Sequence, residues 1–199
     1  MTDLNTASTR LKAVHQKFGI SGNFERKANI STMWPAGLPR SPEIDIYFEN
    51  INPLGVHIET GFTPLDLCEF DKLERAQLGY RWIQGPNEKE RITEWPTHYL
   101  VFMDGSGGGK PIIADTSTAE TPIYASYDVA KPFKIADSLA QFLLALAELI
   151  EIVYGQYEIF EIADEEDNII PEFFDELTSQ IVPILGKENF GNFYDYFYG

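Results

Sequence analysis

From Trp95 to Asp115 the chain reads W-P-T-H-Y-L-V-F-M-D-G-S-G-G-G-K-P-I-I-A-D. It continues T-P-I-Y-A-S-Y-D from Thr121, and a long apolar run opens D-S-L-A-Q-F-L at Asp137. Residues 98–103, 111–115 and 122–127 are rich in β-branched and aromatic side chains and are bounded by glycine, proline or polar residues. That pattern predicts three short strands. Strands spaced this closely pair as antiparallel hairpins, and the glycines of 105–109 suit the first turn. Across 138–154, Leu139, Phe142, Leu143, Leu146, Leu149, Ile150 and Val153 form a wide apolar stripe, with Leu144 and Ile152 partly off it. A helix with that stripe covers one face of the sheet and is contacted on more than one side. Asp137 or Ser138 caps its start, and Gly155 stands where a helix-ending glycine belongs.

Working outward, Leu11, Val14, His15 and Phe18 share one face of a helix over 8–18, with Ser8 or Thr9 as cap. Residues 19–40, with Gly22, Pro35, Gly37 and Pro39, read as irregular chain. Ser41-Pro42-Glu43 joins a cap, a first-turn proline and an acid near the positive end of the helix dipole. Ile44, Tyr47, Phe48 and Ile51 then share a face, and Asn52-Pro53 stops the helix. Strands are expected at 56–59, 64–70 and 80–83, and a helical turn at 73–77. Gly85-Pro86-Asn87 reads as a turn and 88–94 as a charged connector. After the long helix, 157–162 alternates like a strand and 164–168 is a polar turn. A helix over 171–181 turns Phe173, Phe174, Leu177 and Ile181 inward, and Pro183 ends or kinks it. The tail holds Phe190, Phe193, Tyr194, Tyr196, Phe197 and Tyr198. Packing onto its own domain is expected, with a dimer or partner interface as the alternative.

The central stretch resembles the SUKH superfamily, which includes the Smi–Knr type cell-wall regulators and many bacterial toxin-immunity proteins. The residues that carry the likeness are Tyr99-Leu100-Val101-Phe102, the turn Asp104-Gly105-Ser106-Gly107-Gly108, the strand ending at Asp115, Pro122-Ile123-Tyr124, and Asp137-Ser138-Leu139 with Phe142-Leu143. Upstream, Ser41-Pro42-Glu43-Ile44 to Asn52-Pro53 is similar to the family's early helix. The family often has an aspartate directly after the glycine of that turn, where this chain has Gly108-Gly109. The likeness spans 41–154. Residues 1–40 then form an N-terminal helix and irregular segment, and 155–199 an acidic, aromatic-rich extension packed on the same domain. The expected fold class is α+β: a curved antiparallel sheet with helices packed on one side, plus a C-terminal helical extension. Membership implies a non-enzymatic protein that binds another protein.

Composition narrows the function further. With 199 residues, 44% hydrophobic and 14% aromatic, the chain can bury a sizeable core and is not of the disordered type. Cys68 is the one cysteine, so no intrachain disulfide forms. The polar start lacks a signal-peptide pattern, and 135–153 contains Asp137, Gln141, Glu148 and Glu151, too many charges for a membrane span. A cytoplasmic location is expected. Net charge is −16, and it is unevenly placed: 14 acids and the single base Lys187 follow Lys134, against 17 acids and 14 bases up to it. This disfavours nucleic acid, whose binding relies on Lys and Arg, and anionic membranes. It favours a basic protein partner reached by electrostatic steering, with plain solubility as the alternative.

The motifs for chemistry are sparse. Gly105 to Lys110 fails as a phosphate loop: the glycine spacing is one residue short and Pro111 follows the lysine. His15, His57 and His98 have no zinc-ligand spacing with each other or with Cys68. No Gly-x-Ser-x-Gly elbow is present. Asp104 and Asp115, brought near each other across a hairpin, are the one carboxylate pair that a hydrolase could use. Asp164 to Asp167 lacks the alternating ligands and the glycine of a calcium loop. No catalytic residue, cofactor or metal is therefore expected. Glu161, Asp164, Glu165, Glu166, Asp167, Glu172, Asp175 and Glu176 are the candidate partner-binding residues, since carboxylates pair with arginine. The expected function is that of an immunity protein, monomeric or homodimeric, which occludes a basic toxin such as a nuclease. The alternatives are an intracellular adaptor of the Smi–Knr type and a hydrolase.

Overall fold

The computed structural model describes residues 3–85, 89–127 and 130–199. The expected turn residues Pro86 and Asn87, the connector's first residue Glu88, and Asp128 lie outside them. The first helix, α1 (Leu4–Lys17), starts earlier than its apolar spacing implies, because the Asp3 carboxylate accepts the amides of Asn5 and Thr6. The region expected to be irregular contains β1 (Ser21–Glu25) and a short α2 (Ile30–Met33). Helix α3 (Pro42–Ile51) begins as its sequence predicts: the Ser41 hydroxyl accepts the Ile44 amide, and Ile44, Tyr47, Phe48 and Ile51 are buried.

There follow β2 (Asn52–Ile58), β3 (Leu65–Leu67), 3-10 turns at Phe70–Lys72 and Arg75–Gln77, β4 (Trp82–Gln84) and β5 (Lys89–Arg91). The connector thus carries a strand, paired with β4 in a separate hairpin. The meander is β6 (Tyr99–Gly105), β7 (Pro111–Asp115) and β8 (Ile123–Ala125), and β9 (Phe133–Ala136) extends it. The chain ends in α4 (Leu139–Gln156), α5 (Pro171–Leu185) and α6 (Lys187–Tyr198).

Seven strands form one open antiparallel sheet in the order β1-β2-β3-β6-β7-β8-β9. Register shifts interrupt β1, β6 and the β8–β9 pairing, and such bulges bend and twist a sheet. Helices cover one face. Ile112, Ala114, Ile123 and Ala125 from the sheet share a core with Leu139, Phe142, Leu146 and Leu149 of α4. Helix α4 packs between α1 and α5, and Arg10 of α1 pairs with Glu148 at 2.9 Å. This is the α+β architecture expected, with helices against one side.

Four local expectations are corrected. Phe174 of α5, expected to turn inward, is exposed. Residues 157–162 are not a strand: Glu158 and Ile159 have φ of 45° and 71°, and the Ile159 amide returns to the Val153 carbonyl, wrapping the end of α4. Gly155 lies inside α4 rather than ending it. Pro183 falls within the last turn of α5, and the helix runs past it to Leu185. Helix α4 is also long and apolar enough to cross a membrane, with mean hydropathy 1.4, because Asp137 lies outside it. Most of it is nevertheless buried inside the fold. In α6, Phe190, Phe193, Tyr196, Phe197 and Tyr198 are buried in the same core. The Tyr196 hydroxyl donates to the Lys110 carbonyl (2.6 Å) and the Tyr198 hydroxyl to that of Thr60 (3.0 Å), which ties the helix to the sheet's hairpins.

Glu43, half-buried beside the start of α4, is pushed from an ordinary 4.5 up to about 7, chiefly by desolvation. The Leu139 amide offsets part of this and the charge of Glu120 adds to it. The folded chain therefore holds a proton between those values that the unfolded chain releases. Stability from this residue is complete below 4.5 and is lost as pH rises through about 7. Glu43→Gln, neutral throughout, is expected to match the parent near pH 4. Near pH 8 it should be more stable by about 1–2 kcal/mol, a figure discounted for the carboxylate's partial exposure. Thermal unfolding at the two pH values measures this, and an identical difference at both would refute it.

Candidate functional site

The sheet face away from the helices is set by a fault in β6. Leu100 and Phe102 enter the core, and strict alternation would send Asp104 after them. Instead Val101 opposes Ile113, Met103 opposes Ile112, and Asp104 opposes Pro111. The extra residue lets Phe102 and Met103 both reach the core and returns Asp104 to the open face with Val101. Gln77 takes the place of a strand partner there. Its amide oxygen accepts the Val101 N–H (3.0 Å), and its amide nitrogen donates to the carbonyls of Val101 (2.7 Å) and Leu73 (2.9 Å). The Gln77 side chain is fully buried.

Strand register then lines up a polar row. His57 of β2 opposes Asp66 of β3, and Asp66 opposes Asp104 of β6. His57 meets Asp66 at 2.6 Å through Nδ1 and Glu59 at 3.0 Å through Nε2. The two contacts, Asp66 first, raise its pKa. Asp104 accepts the Tyr80 hydroxyl at 2.8 Å on one oxygen and the Lys110 amide at 2.9 Å on the other. Tyr80 in turn accepts the Gly109 amide (3.1 Å). Burial raises the Asp104 pKa and the charge of Asp66 adds to it, while these hydrogen bonds oppose the shift.

Asp66 and Asp104 of this row border a cavity of about 640 Å³. Ala76, Leu78 and Val101 give it apolar walls, and Gly107, Gly108 and Gly109 form one rim. Those glycines have φ of 95°, 81° and 86°, a backbone that only glycine adopts readily. They turn β6 into β7 with no helix behind them, so the phosphate-loop reading fails on structure as well as spacing. Glu69, Lys72 and Arg75 complete the wall, with Lys72 held by Glu69 at 2.7 Å. Cys68 also lines it, but burial pushes its thiol up to about 12, which leaves little nucleophilic thiolate. Beyond the cavity, Tyr80, Trp95, Tyr99 and Tyr124 continue as neighbouring rings, with successive centroids 5.7, 6.0 and 5.5 Å apart.

The residues singled out from sequence fare differently. Asp104 and Asp115 do not meet: Asp104 pairs with Pro111 and Asp115 with Tyr99, at opposite ends of the β6–β7 hairpin. The hydrolase pair is thereby withdrawn. His15 is buried against the Ser21 carbonyl, and His98 lies 3.9 Å from Asp115. Among the described residues, no three His, Cys, Asp or Glu side chains are grouped to hold a metal. Glu161, Asp164, Glu165, Glu166, Asp167, Glu172 and Asp175 are exposed and Glu176 is partly so. None of the eight joins an ion pair among the described residues. Asp164 accepts the amides of Glu166 and Asn168, which hold its pKa low. These acids lie on α5 and the turn before it, and α5 packs on α4, on the helical side of the sheet.

Sequence reasoning missed His57, Asp66 and Tyr80. The available signal was that His57 and Asp66 each sit between two apolar neighbours, Val56 and Ile58 or Leu65 and Leu67, and so leave the core on the same face. Comparison with known family models, curated proteins and solved structures returned no match for this chain.

Proposed function

We propose that this chain is a non-enzymatic protein-binding module: an immunity protein of the SUKH type that neutralises a basic toxin by covering it. The observation that carries the reading is the acidic surface of 161–176. Its carboxylates are exposed or partly exposed, and among the described residues no base pairs with them, so they can meet arginine and lysine of a partner. A surface of one sign also speeds encounter with a partner of the other sign. A nuclease, whose substrate groove is basic, matches it best. The cytoplasm is the compartment this reading assigns. The same surface would serve an adaptor for an endogenous basic protein, and a toxin reading frame directly upstream in the genome distinguishes immunity from that role.

The test is capture of the partner from the source organism followed by binding kinetics. The partner should be basic and should be released by modest salt. Changing Asp164, Glu165, Glu166 and Glu172 together to lysine is expected to slow association at least tenfold and to leave dissociation nearly unchanged. If the reversed protein binds as the parent does, this surface serves solubility alone.

A further inference from the structure

We propose that the cavity on the open sheet face is a second binding site, which takes a guanidinium or ammonium group carried on an aliphatic stem. It is independent of the acidic surface on the helical side. Asp66 and Asp104 stand directly opposite each other on paired strands, an arrangement that costs stability through like-charge repulsion. The fold gives only one of the pair a cationic partner. Asp66 is met by His57, but among the described residues no basic side chain pairs with Asp104. The nearby base Lys110 turns away, with Nζ on the Thr63 hydroxyl at 2.9 Å. Asp104 is instead held in place by Tyr80 and the Lys110 amide, with its carboxylate facing a cavity of about 640 Å³. That volume is in the range of small-ligand sites. A bound cation would relieve the repulsion and supply the missing counter-charge. The apolar walls at Ala76, Leu78 and Val101 would receive the stem, much as lysine and arginine stems lie along apolar surface.

The same chemistry is found in a protein's arginine side chain and in the free amino acid, and Arg75 on the rim separates them, because it can meet a free α-carboxylate. The experiment titrates the protein with N-acetyl-arginine amide, free arginine and N-acetyl-citrulline amide, the last being neutral but of the same shape. Binding is followed by NMR at the amides of Gly107, Gly108 and Gly109. Both arginine compounds are expected to shift these signals, and citrulline amide is not. Tighter binding of free arginine assigns the site to a free amino acid; equal binding assigns it to a protein side chain. Asp104→Asn is expected to weaken arginine amide at least tenfold. Asp66→Asn, which leaves the Tyr80–Asp104 bond in place, provides a second reading if Asp104→Asn fails to fold. Equal binding of citrulline amide, or no response at the glycine turn, overturns the proposal. The lysine-reversed acidic surface is expected to leave this binding intact, so failure here and failure of the partner reading remain distinct.

Discussion

Replacing Gln77 by leucine is expected to destabilise the protein by at least about 2–6 kcal/mol, from the two buried backbone groups of Val101 left without partners at roughly 1–3 kcal/mol each, and the Leu73 carbonyl loses its donor as well. The Gln77 amide serves both the N–H and the C=O of Val101, the residue that directly precedes the β6 bulge. Leucine has similar bulk but neither donor nor acceptor, so the loss reports hydrogen bonding rather than packing. Glutamate should be worse than leucine in effect on the bulge. Its carboxylate could still accept from Val101 N–H, but it would face the carbonyls of Val101 and Leu73 with nothing to donate. Urea unfolding measures the stability. The NMR signals of the glycine turn report whether Asp104 still faces the cavity, since a lost bulge would reverse it. An unchanged urea midpoint for Gln77→Leu would show that the bulge stands without this support.

The parts of the fold that were legible are those whose pattern is local. Ser41-Pro42-Glu43 set the start of α3, Ser138 capped α4, and the strands at 98–103 and 111–115 were bounded by turn residues. Those features depend on neighbours a few residues apart. The strands that escaped are short ones at the edges of the main sheet or in the separate β4–β5 hairpin. Most of β1 is exposed, so it carries no apolar alternation, and β5 is exposed throughout. Residues 157–162 made the opposite error. Their alternation was real, but left-handed backbone at Glu158 and Ile159 turns the chain where a strand would need it extended.

The site was less legible than the fold, for a related reason. Residues 99–103 are apolar or aromatic without a break, so nothing in the stretch marks a bulge between Val101 and Met103. Without the bulge, Asp104 cannot be assigned a face. The row of His57, Asp66 and Asp104 exists only through pairing of three strands, two of which are joined through the long excursion that carries Gln77 and Tyr80. The carboxylates of 161–176 were visible as a charge excess, and charge excess does not depend on register. Their exposure follows from the apolar face of α5, where Phe173, Leu177 and Ile181 are buried.

Gly22→Ala is expected to be among the most damaging small substitutions in the chain, costing about 2–6 kcal/mol. Roughly 1–3 kcal/mol of that comes from left-handed backbone in a residue with a side chain, and a similar amount from overpacking. Gly22 has φ of 79° where β1 bulges across β2. A methyl there would lie 2.4 Å from the Gly55 carbonyl carbon and oxygen and 2.5 Å from the Leu54 carbonyl oxygen. All three are backbone atoms, so no side chain can rotate aside and the strands must separate. Gly55→Ala supplies the control. It also has positive φ, 62°, but its methyl would meet nothing within 4 Å, so only the backbone cost applies. The two variants should therefore differ by the overpacking share, with Gly22→Ala the less stable in urea. Separation of β1 would also reach the open face, because Ser21 pairs with His57 and its hydroxyl donates to the His57 carbonyl at 3.3 Å. Hydrogen exchange should accelerate at the amides of the β1–β2 pair in Gly22→Ala and stay near the parent rate in Gly55→Ala. Equal losses of stability in the two variants would mean that backbone conformation, and not the close approach of the two strands, is what requires glycine at this crossing.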